Sequence, residues 1–186
     1  MPLSELLRAK INHGFDYLDV DGDGLLTEQD HVLMGRRAAE ALGHAAGSAE
    51  ERRILDAYLR IWHDLHRPHI PGGGEAITRE QFVTSTGSLA DDPESARKTV
   101  GALAEAFLSI ADTDVDGRVS PAEFRKFQQG HFPGLTETET AEAFDHLDTD
   151  GDGQLTAEEF VQACVDYWTS TDPDSPANWW TGWPMS

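Results

Sequence analysis

A twelve-residue pattern of acidic side chains occurs three times in this chain, and its spacing constrains the fold more than any other feature. The three copies span residues 19–30, 112–123 and 148–159. Each copy has aspartate at positions 1, 3 and 5, glycine at position 6, an apolar residue at position 8 and a carboxylate at position 12. Glycine at position 6 permits the positive φ of a sharp turn. Each copy therefore predicts a tight loop that turns its oxygen atoms toward one point.

Oxygen ligands at this spacing are typical of a calcium loop, in which positions 1, 3, 5, 7, 9 and 12 surround the ion. The proposed side-chain carboxylate ligands are Asp19, Asp21, Asp23, Asp30, Asp112, Asp114, Asp116, Glu123, Asp148, Asp150, Asp152 and Glu159. The proposed backbone carbonyl ligands at position 7 are Leu25, Arg118 and Gln154. The proposed position-9 ligands, which often act through a water molecule, are Thr27, Ser120 and Thr156. We expect three bound calcium ions.

The first loop differs from the other two at its last position, where Asp30 replaces glutamate. Aspartate is one methylene shorter. Either the following helix moves inward to keep a two-oxygen contact, or the carboxylate binds through one oxygen and coordination falls toward six, which suits magnesium. We expect an occupied first site that distinguishes calcium from magnesium less well than the other two. The alternative is a first loop that binds no metal.

Apolar residues at helical spacing flank each loop, as a helix–loop–helix unit requires. Phe15 and Leu18 precede the first loop, and Phe144 and Leu147 precede the last. The apolar residue at position 8 suits a short strand that pairs two loops back to back. Pairing requires an even number of units, so a fourth unit is expected.

Residues 49–90 contain this fourth unit in degenerate form. A helix is predicted from about Ala49 to His66, and residues 70–81 take the place of a loop. The residues at its positions 1, 3, 5 and 12 are Ile70, Gly72, Gly74 and Gln81. They supply no carboxylate, whereas Ile77 at position 8 can still pair with the first loop. We interpret the unit as structural.

These four units predict an all-α fold of two EF-hand pairs packed into one compact globule, with short β-ribbons between paired loops. A chain of 186 residues, 39% of them hydrophobic, can bury a core of this kind. We place an N-terminal pair at residues 1–90, a C-terminal pair at 93–168 and a tail at 169–186. The break between the pairs is short, with Asp91 or Asp92 as a helix cap and Pro93 at the first helical position.

The tail contains three tryptophans within five residues, Trp179, Trp180 and Trp183. Large apolar side chains are costly to expose, at roughly 1.5–3 kcal/mol each. We therefore expect the tail to fold back and cover apolar surface on the core. The alternative is an anchor that calcium releases for binding to a partner.

The formal net charge of −20 shapes the expected partners. Three calcium ions would bring it to −14, so metal binding should relieve self-repulsion. So acidic a surface argues against nucleic acid and anionic membranes as partners. The single cysteine, Cys164, is expected to be a packed thiol. No stretch approaches transmembrane length and no signal-peptide pattern is evident, so we expect a cytoplasmic protein. We also expect a monomer.

Histidines at positions 63, 66 and 69 raise the question of a transition-metal site. Pro68 separates the third from the helix that carries the other two, and only Asp64 lies nearby as a further ligand. A solvated helix end is the preferred interpretation. We find no nucleophile elbow, phosphate loop or zinc-hydrolase motif, and therefore predict no enzymatic activity.

The whole chain resembles the sarcoplasmic calcium-binding protein family, in particular its bacterial calerythrin-like members. The resemblance is carried by the loss of the second loop, by Asp30 at the end of the first, and by a tail that runs Asp-Pro-Asp-x-Pro-x-Asn-Trp from Asp172. It implies a compact, mostly helical, cytoplasmic calcium-binding protein that buffers or transports calcium without enzymatic activity.

Three hypotheses about function follow. The first is a high-affinity calcium buffer. The second is a calcium sensor that frees its tail to bind an unidentified protein target; against it, Met34 is the only internal methionine, whereas sensors use methionine-rich grooves. The third is a photoprotein-like carrier, since relatives of this fold enclose a small aromatic luciferin. A core without a cavity of several hundred Å³ would exclude that third hypothesis.

Overall fold

Eight α-helices form most of the described molecule. The structure, a computed structural model, describes residues 3–70 and 72–182; Trp183 and the degenerate loop's second residue, Pro71, lie outside them. The helices are α1 (Glu5–Leu18), α2 (Glu28–Ala41), α3 (Ala49–Arg60), α4 (Arg79–Ser88), α5 (Pro93–Ala111), α6 (Pro121–His131), α7 (Glu137–Leu147) and α8 (Ala157–Thr169). Each predicted loop lies between two of these helices, which confirms the all-α fold class.

Capping residues set where the helices after the loops begin. The hydroxyl of Ser120 accepts a hydrogen bond from the Glu123 amide at the start of α6, and Thr156 does the same for Glu159 at the start of α8. The degenerate unit keeps this arrangement, since Thr78 is the cap of α4. Such caps satisfy amide groups that the first helical turn would leave unpaired. At the predicted break, Asp92 caps α5 by accepting a hydrogen bond from the Ser95 amide at 3.1 Å.

Two short antiparallel ribbons join the loops in pairs. Strand β1 (Leu25–Thr27) pairs with β2 (Ala76–Thr78), and β3 (Arg118–Val119) pairs with β4 (Leu155–Thr156). The position-8 residues face each other, Leu26 opposite Ile77 and Val119 opposite Leu155, and all four are buried. The predicted β-ribbons are confirmed, including the one to the degenerate loop.

One continuous hydrophobic core runs through both helical pairs. In the N-terminal half α1 packs against α4 and α2 against α3, and in the C-terminal half α5 packs against α8. The halves meet mainly where α2 crosses α6, and also where α8 contacts α1 and α4. Cys164 is fully buried in this core, as predicted. None of the helices in the described ranges has both the length and the hydropathy to cross a bilayer.

The segment after α3 departs from a regular helix. The predicted helix is α-helical to Arg60, continues as a π-helix over Ile61–His66 and ends in a 3₁₀ turn over Arg67–His69 that contains Pro68. Ile61 and Trp62, the first two residues of the π-helix, are both buried. This π-helix cannot be read from the spacing of apolar residues, which are arranged as in an α-helix.

Residues of the tail lie against the C-terminal half. A 3₁₀ turn spans Pro176–Trp179, and the ring of Trp180, only 1% exposed, packs edge-on against Phe160 at a centroid distance of 5.0 Å. Gln128 donates a hydrogen bond to the Trp180 carbonyl at 2.8 Å. Trp179 stacks on His146 of α7 with ring centroids 4.0 Å apart. Trp183, the third tryptophan of the tail, is outside the described residues.

A buried lysine ties the tail to the first helix. The Lys10 amine, fully buried, donates hydrogen bonds to the Ser170 carbonyl at 2.7 Å and to the Asn178 side chain at 3.0 Å. Burial lowers the pKa of Lys10 to about 8, although the charges of Asp166 and Asp172 oppose the shift. The amine therefore remains mostly protonated at neutral pH, at the carboxyl end of α8, where a positive charge is favourable.

Gly130 provides a test of how closely the two halves pack. A Cβ at this position would lie 2.8 Å from the Ala38 Cα, so Gly130→Ala must push α6 away from α2. We expect a loss of about 1–3 kcal/mol in the free energy of unfolding, measured by urea denaturation followed by circular dichroism. The control is Gly101→Ala in α5, where the added methyl meets only Arg97 Cγ at 3.8 Å. Equal stability of the two variants would contradict the packing.

Candidate calcium sites

Carboxylates converge in each of the three intact loops. Oxygen atoms from positions 1, 3 and 12 lie within 4.8 Å of one another in every case. Negative charges this close repel each other. Desolvation is the largest cause of the raised pKa of Asp114, and repulsion by the charges of Asp116 and Glu123 adds to it. The three groups are Asp19, Asp21 and Asp30 in the first loop, Asp112, Asp114 and Glu123 in the third, and Asp148, Asp150 and Glu159 in the fourth.

The position-1 aspartate organises the turn of each loop. In the first loop, Asp19 accepts hydrogen bonds from the amides of Asp23 at 3.1 Å and Gly24 at 2.9 Å. Asp112 and Asp148 accept the equivalent bonds in the other two loops. The position-6 glycines have φ between 83° and 85°, the left-handed region that glycine adopts without strain. The predicted turn is therefore present in all three loops.

The position-12 glutamate closes each C-terminal loop on itself. One oxygen of Glu123 accepts hydrogen bonds from the amide and hydroxyl of Thr113, and the other accepts from the amide and hydroxyl of Ser120. Partial burial would raise the pKa of Glu123, but these donors outweigh it and lower the pKa to about 2. Glu159 is held in the same way by Thr149 and Thr156. Both carboxylates are thus charged and fixed in direction.

Asp30 reaches the same positions in the first loop despite its shorter side chain. One oxygen accepts a hydrogen bond from the Val20 amide at 3.0 Å, and the other accepts from the amide and hydroxyl of Thr27 at 2.8 Å. Asp30 is fully buried, whereas Glu123 and Glu159 are partly exposed. Both oxygens of Asp30 thus accept hydrogen bonds from within the loop.

The remaining predicted ligands are arranged differently. The position-5 carboxylates of Asp23, Asp116 and Asp152 are not members of the convergent groups. One oxygen of each accepts a hydrogen bond from the amide two positions later. The position-9 hydroxyls bond to the position-12 carboxylate, as described above. The position-7 residues Leu25, Arg118 and Gln154 lie at the ribbons or, for Gln154, directly before one.

Several contributing residues were missed by sequence reasoning. The threonines at position 2, Thr113 and Thr149, fix the closing glutamates, and an S/T-x-x-E capping pattern in the sequence could have revealed the role of Ser120 and Thr156. Arg118 forms an ion pair with Asp152 at 2.7 Å and so links the third loop to the fourth. That pair spans two loops, and only the register of the ribbon brings it together.

The prediction of a solvated helix end is wrong for His66. His63 and His69 are exposed, as a solvated helix end predicts, but the Nδ1 atom of His66 lies 3.0 Å from Nε2 of the buried His31. Burial and the neighbouring histidines hold the pKa of His66 well below its usual range. Nothing in the spacing of the three histidines indicates a partner thirty-five positions earlier in the chain.

The donor sets fit a hard divalent cation. Calcium prefers six to eight oxygen ligands, and each intact loop offers carboxylates that are already oriented by backbone amides. Within the described part of the degenerate loop, residues 70 and 72–81, no such group of carboxylates occurs. Three loops can therefore hold a cation by the same chemistry, and the fourth supplies only the ribbon.

Comparison with known proteins agrees with this geometry. The family model described as "EF-hand domain pair" matches residues 101–165, which contain the last two loops. Calerythrin from Saccharopolyspora erythraea is 29% identical over 160 residues, covering 85% of this chain and 89% of calerythrin.

Solved structures extend the comparison to nearly the whole chain. The structure of a calcium-binding protein from Streptomyces coelicolor, described as a basis for prokaryotic calcium-mediated regulation, has a TM-score of 0.71 and 30% identity, and covers 88% of this chain and 98% of its own. The calcium-loaded apo form of coelenterazine-binding protein from Renilla muelleri has a TM-score of 0.76 at 24% identity. The match covers 96% of this chain and 98% of the Renilla chain. The latter shows likeness of fold alone.

The neighbouring residues Glu158 and Glu159 allow a matched test of the fourth loop. Glu159→Gln removes the closing charge, so we expect calorimetric titration with calcium to show at least roughly tenfold weaker binding at one site. Glu158 is exposed and lies outside the carboxylate group, so Glu158→Gln should titrate like the unmodified protein. Equal weakening by both variants would show that overall charge, and not this carboxylate, determines the affinity.

Proposed function

The chain belongs to the calerythrin-like family of EF-hand calcium-binding proteins, and from this premise we propose that it is a cytoplasmic calcium buffer or transporter that binds three ions. The three convergent carboxylate groups support three sites. The proposed ligands are those predicted from the sequence, with positions 1, 3 and 12 of each loop contributing most. A bound calcium ion would neutralise the charges that these side chains bring together.

The observation that favours a buffer is the lack of an exposed apolar surface. Among the described residues, Val115 is the only large hydrophobic residue that is exposed, at 84%. A sensor must present apolar surface to its target when calcium binds. Here Trp180 occupies the surface formed by α6 and α8 instead. We infer that the tail, predicted at residues 169–186 and described as far as residue 182, serves through its described part as a permanent cover of the C-terminal pair, residues 93–168.

The remaining parts of the proposal follow from charge and family. The net charge of −20 disfavours nucleic acid and anionic membranes as partners. We propose a monomer without enzymatic activity, since calcium binding accounts for the acidic clusters. The cytoplasmic location rests on the family resemblance. At the first site we propose that magnesium competes with calcium, because the buried Asp30 is drawn close to the loop and leaves less room for a large ion.

The alternative function is a calcium sensor that releases its tail to bind a target protein. It is favoured by one observation, the description of the similar Streptomyces coelicolor protein in terms of calcium-mediated regulation. In this alternative, the contacts of Trp180 and Lys10 would break when calcium binds.

One experiment separates the buffer from the sensor. The emission of Trp180 is obtained as the difference between the unmodified protein and Trp180→Phe, each measured with calcium and with chelator. A buffer keeps this emission blue-shifted in calcium and binds less of a hydrophobic dye when calcium is added. A sensor shows the reverse, a red shift and more dye. Calorimetry on the same samples should count three calcium ions with dissociation constants on the order of 10⁻⁷ M or tighter.

The proposed effect of Asp30 on metal preference is tested by lengthening its side chain. Asp30→Glu adds one methylene to a carboxylate that is already bonded at 2.8–3.0 Å, so α2 must move outward and the loop must widen. We expect the preference of the first site for calcium over magnesium to rise about tenfold, measured by calcium titration in millimolar magnesium. Glu28→Asp, an opposite change at the exposed neighbouring position, is the control. An unchanged magnesium effect in Asp30→Glu would contradict the assignment.

A further inference from the structure

A cavity of about 550 Å³ lies inside the molecule, between the two helical pairs. Its lining includes Met34 of α2, Phe82 of α4, Phe107 of α5 and Trp168 of α8. Exposed residues of the lining, Ser88 and Asp92, mark an opening near the break between the pairs. The volume lies within the range of sites that enclose small organic molecules. The criterion that would exclude a ligand carrier is therefore not met.

The lining determines what kind of molecule the cavity suits. Most of it is apolar, and its aromatic rings come from both halves of the protein and from Trp180 of the tail. Among the described residues that line it, the only carboxylate is the exposed Asp92, and there is no lysine or arginine. A charged group placed among these side chains would find no opposite charge to offset its desolvation. The cavity therefore suits a neutral molecule with ring systems.

One polar side chain in the lining is buried and only half satisfied. His131 is 3% exposed, and its Nδ1 atom lies 2.7 Å from the hydroxyl of Tyr58. Its ring stacks on Phe127 at 4.8 Å and meets Phe107 edge-on at 4.2 Å. The other ring nitrogen, Nε2, is buried and has no hydrogen-bond partner in residues 3–70 and 72–182.

The partner of His131 determines which nitrogen carries the proton. Nδ1 of His131 is the only acceptor with which the Tyr58 hydroxyl forms a hydrogen bond among the described residues. If Nδ1 carried the proton, the Tyr58 hydroxyl hydrogen would lack an acceptor and Nε2 would lack a donor among the described residues. Donation from the hydroxyl to Nδ1, which leaves the proton of the neutral ring on Nε2, avoids one of these two losses. Burial lowers the pKa of His131 to about 3, so the ring is neutral at physiological pH. An N–H donor without an acceptor in an apolar cavity is unfavourable, and a ligand's acceptor atom can remove that penalty.

We infer that this cavity binds a neutral, ring-containing organic molecule that accepts a hydrogen bond from Nε2 of His131. The site is separate from the three carboxylate groups, so ligand binding and calcium binding can succeed or fail independently. The ring stacking that fixes His131 also fixes the direction of its N–H. Trp180 contributes to the lining, so the tail forms part of the enclosure.

The test uses prodan, a neutral naphthalene with a ketone oxygen and environment-sensitive emission, and its analogue in which the ketone is reduced to a methylene. We expect the unmodified protein to bind one prodan with a blue shift, and to bind the analogue about tenfold more weakly because the hydrogen bond is lost. Failure to bind prodan, or equal affinity for both probes, would overturn the inference.

Two variants locate the binding. Leu103→Phe adds bulk to the cavity lining and should abolish prodan binding, whereas Leu42→Phe, the same change at a half-buried residue outside the lining, should not. His131→Phe keeps a ring but removes the donor, and should abolish the preference for prodan over its analogue. If His131→Phe does not fold, as judged by circular dichroism, the proposal is tested by the Leu103→Phe and Leu42→Phe variants and by the two probes. Prodan binding that persists in Leu103→Phe would place the dye elsewhere and refute the proposal.

Discussion

The structure depends on a single carboxylate at the end of each loop, which holds both ends of that loop at once. It accepts hydrogen bonds from position 2 and from position 9, and it belongs to the first turn of the following helix. The loop that gathers the charges is thereby fixed to the helix that packs into the core. A change at the candidate metal site is therefore coupled directly to helix position. The degenerate loop retains a neutral version of this connection, in which Gln81 accepts the Thr78 amide at 2.9 Å.

That neutral version explains why a unit without ligands remains in the fold. Position 8 of the degenerate loop, Ile77, pairs with Leu26 and completes the ribbon that supports the first loop. Loss of the carboxylates removes a candidate ion site, whereas loss of the ribbon would leave the first loop without a partner. Function and architecture are thus separable at this unit. At the other three units, the same residues serve both.

The sequence predicted the fold class, the strand pairing and the carboxylate groups because each depends on short-range spacing. The apolar residue at position 8 and the capping of α5 by Asp92 are examples, since both are determined within a few residues of the chain. Contacts between distant segments were not predictable in this way. The pairing of His66 with His31 and the buried amine of Lys10 depend on how helices pack, and the Arg118–Asp152 link depends on the register of a ribbon. A lysine on an amphipathic helix is ordinarily solvated, and here the end of α8 and the Asn178 side chain make its burial favourable.

The Lys10 contacts have a mechanical consequence. This amine joins the first helix to the chain after α8, so the two ends of the described protein are fastened to each other. A pulling force applied to both ends would load that fastening first, and the cation loops would carry tension only after it had given way.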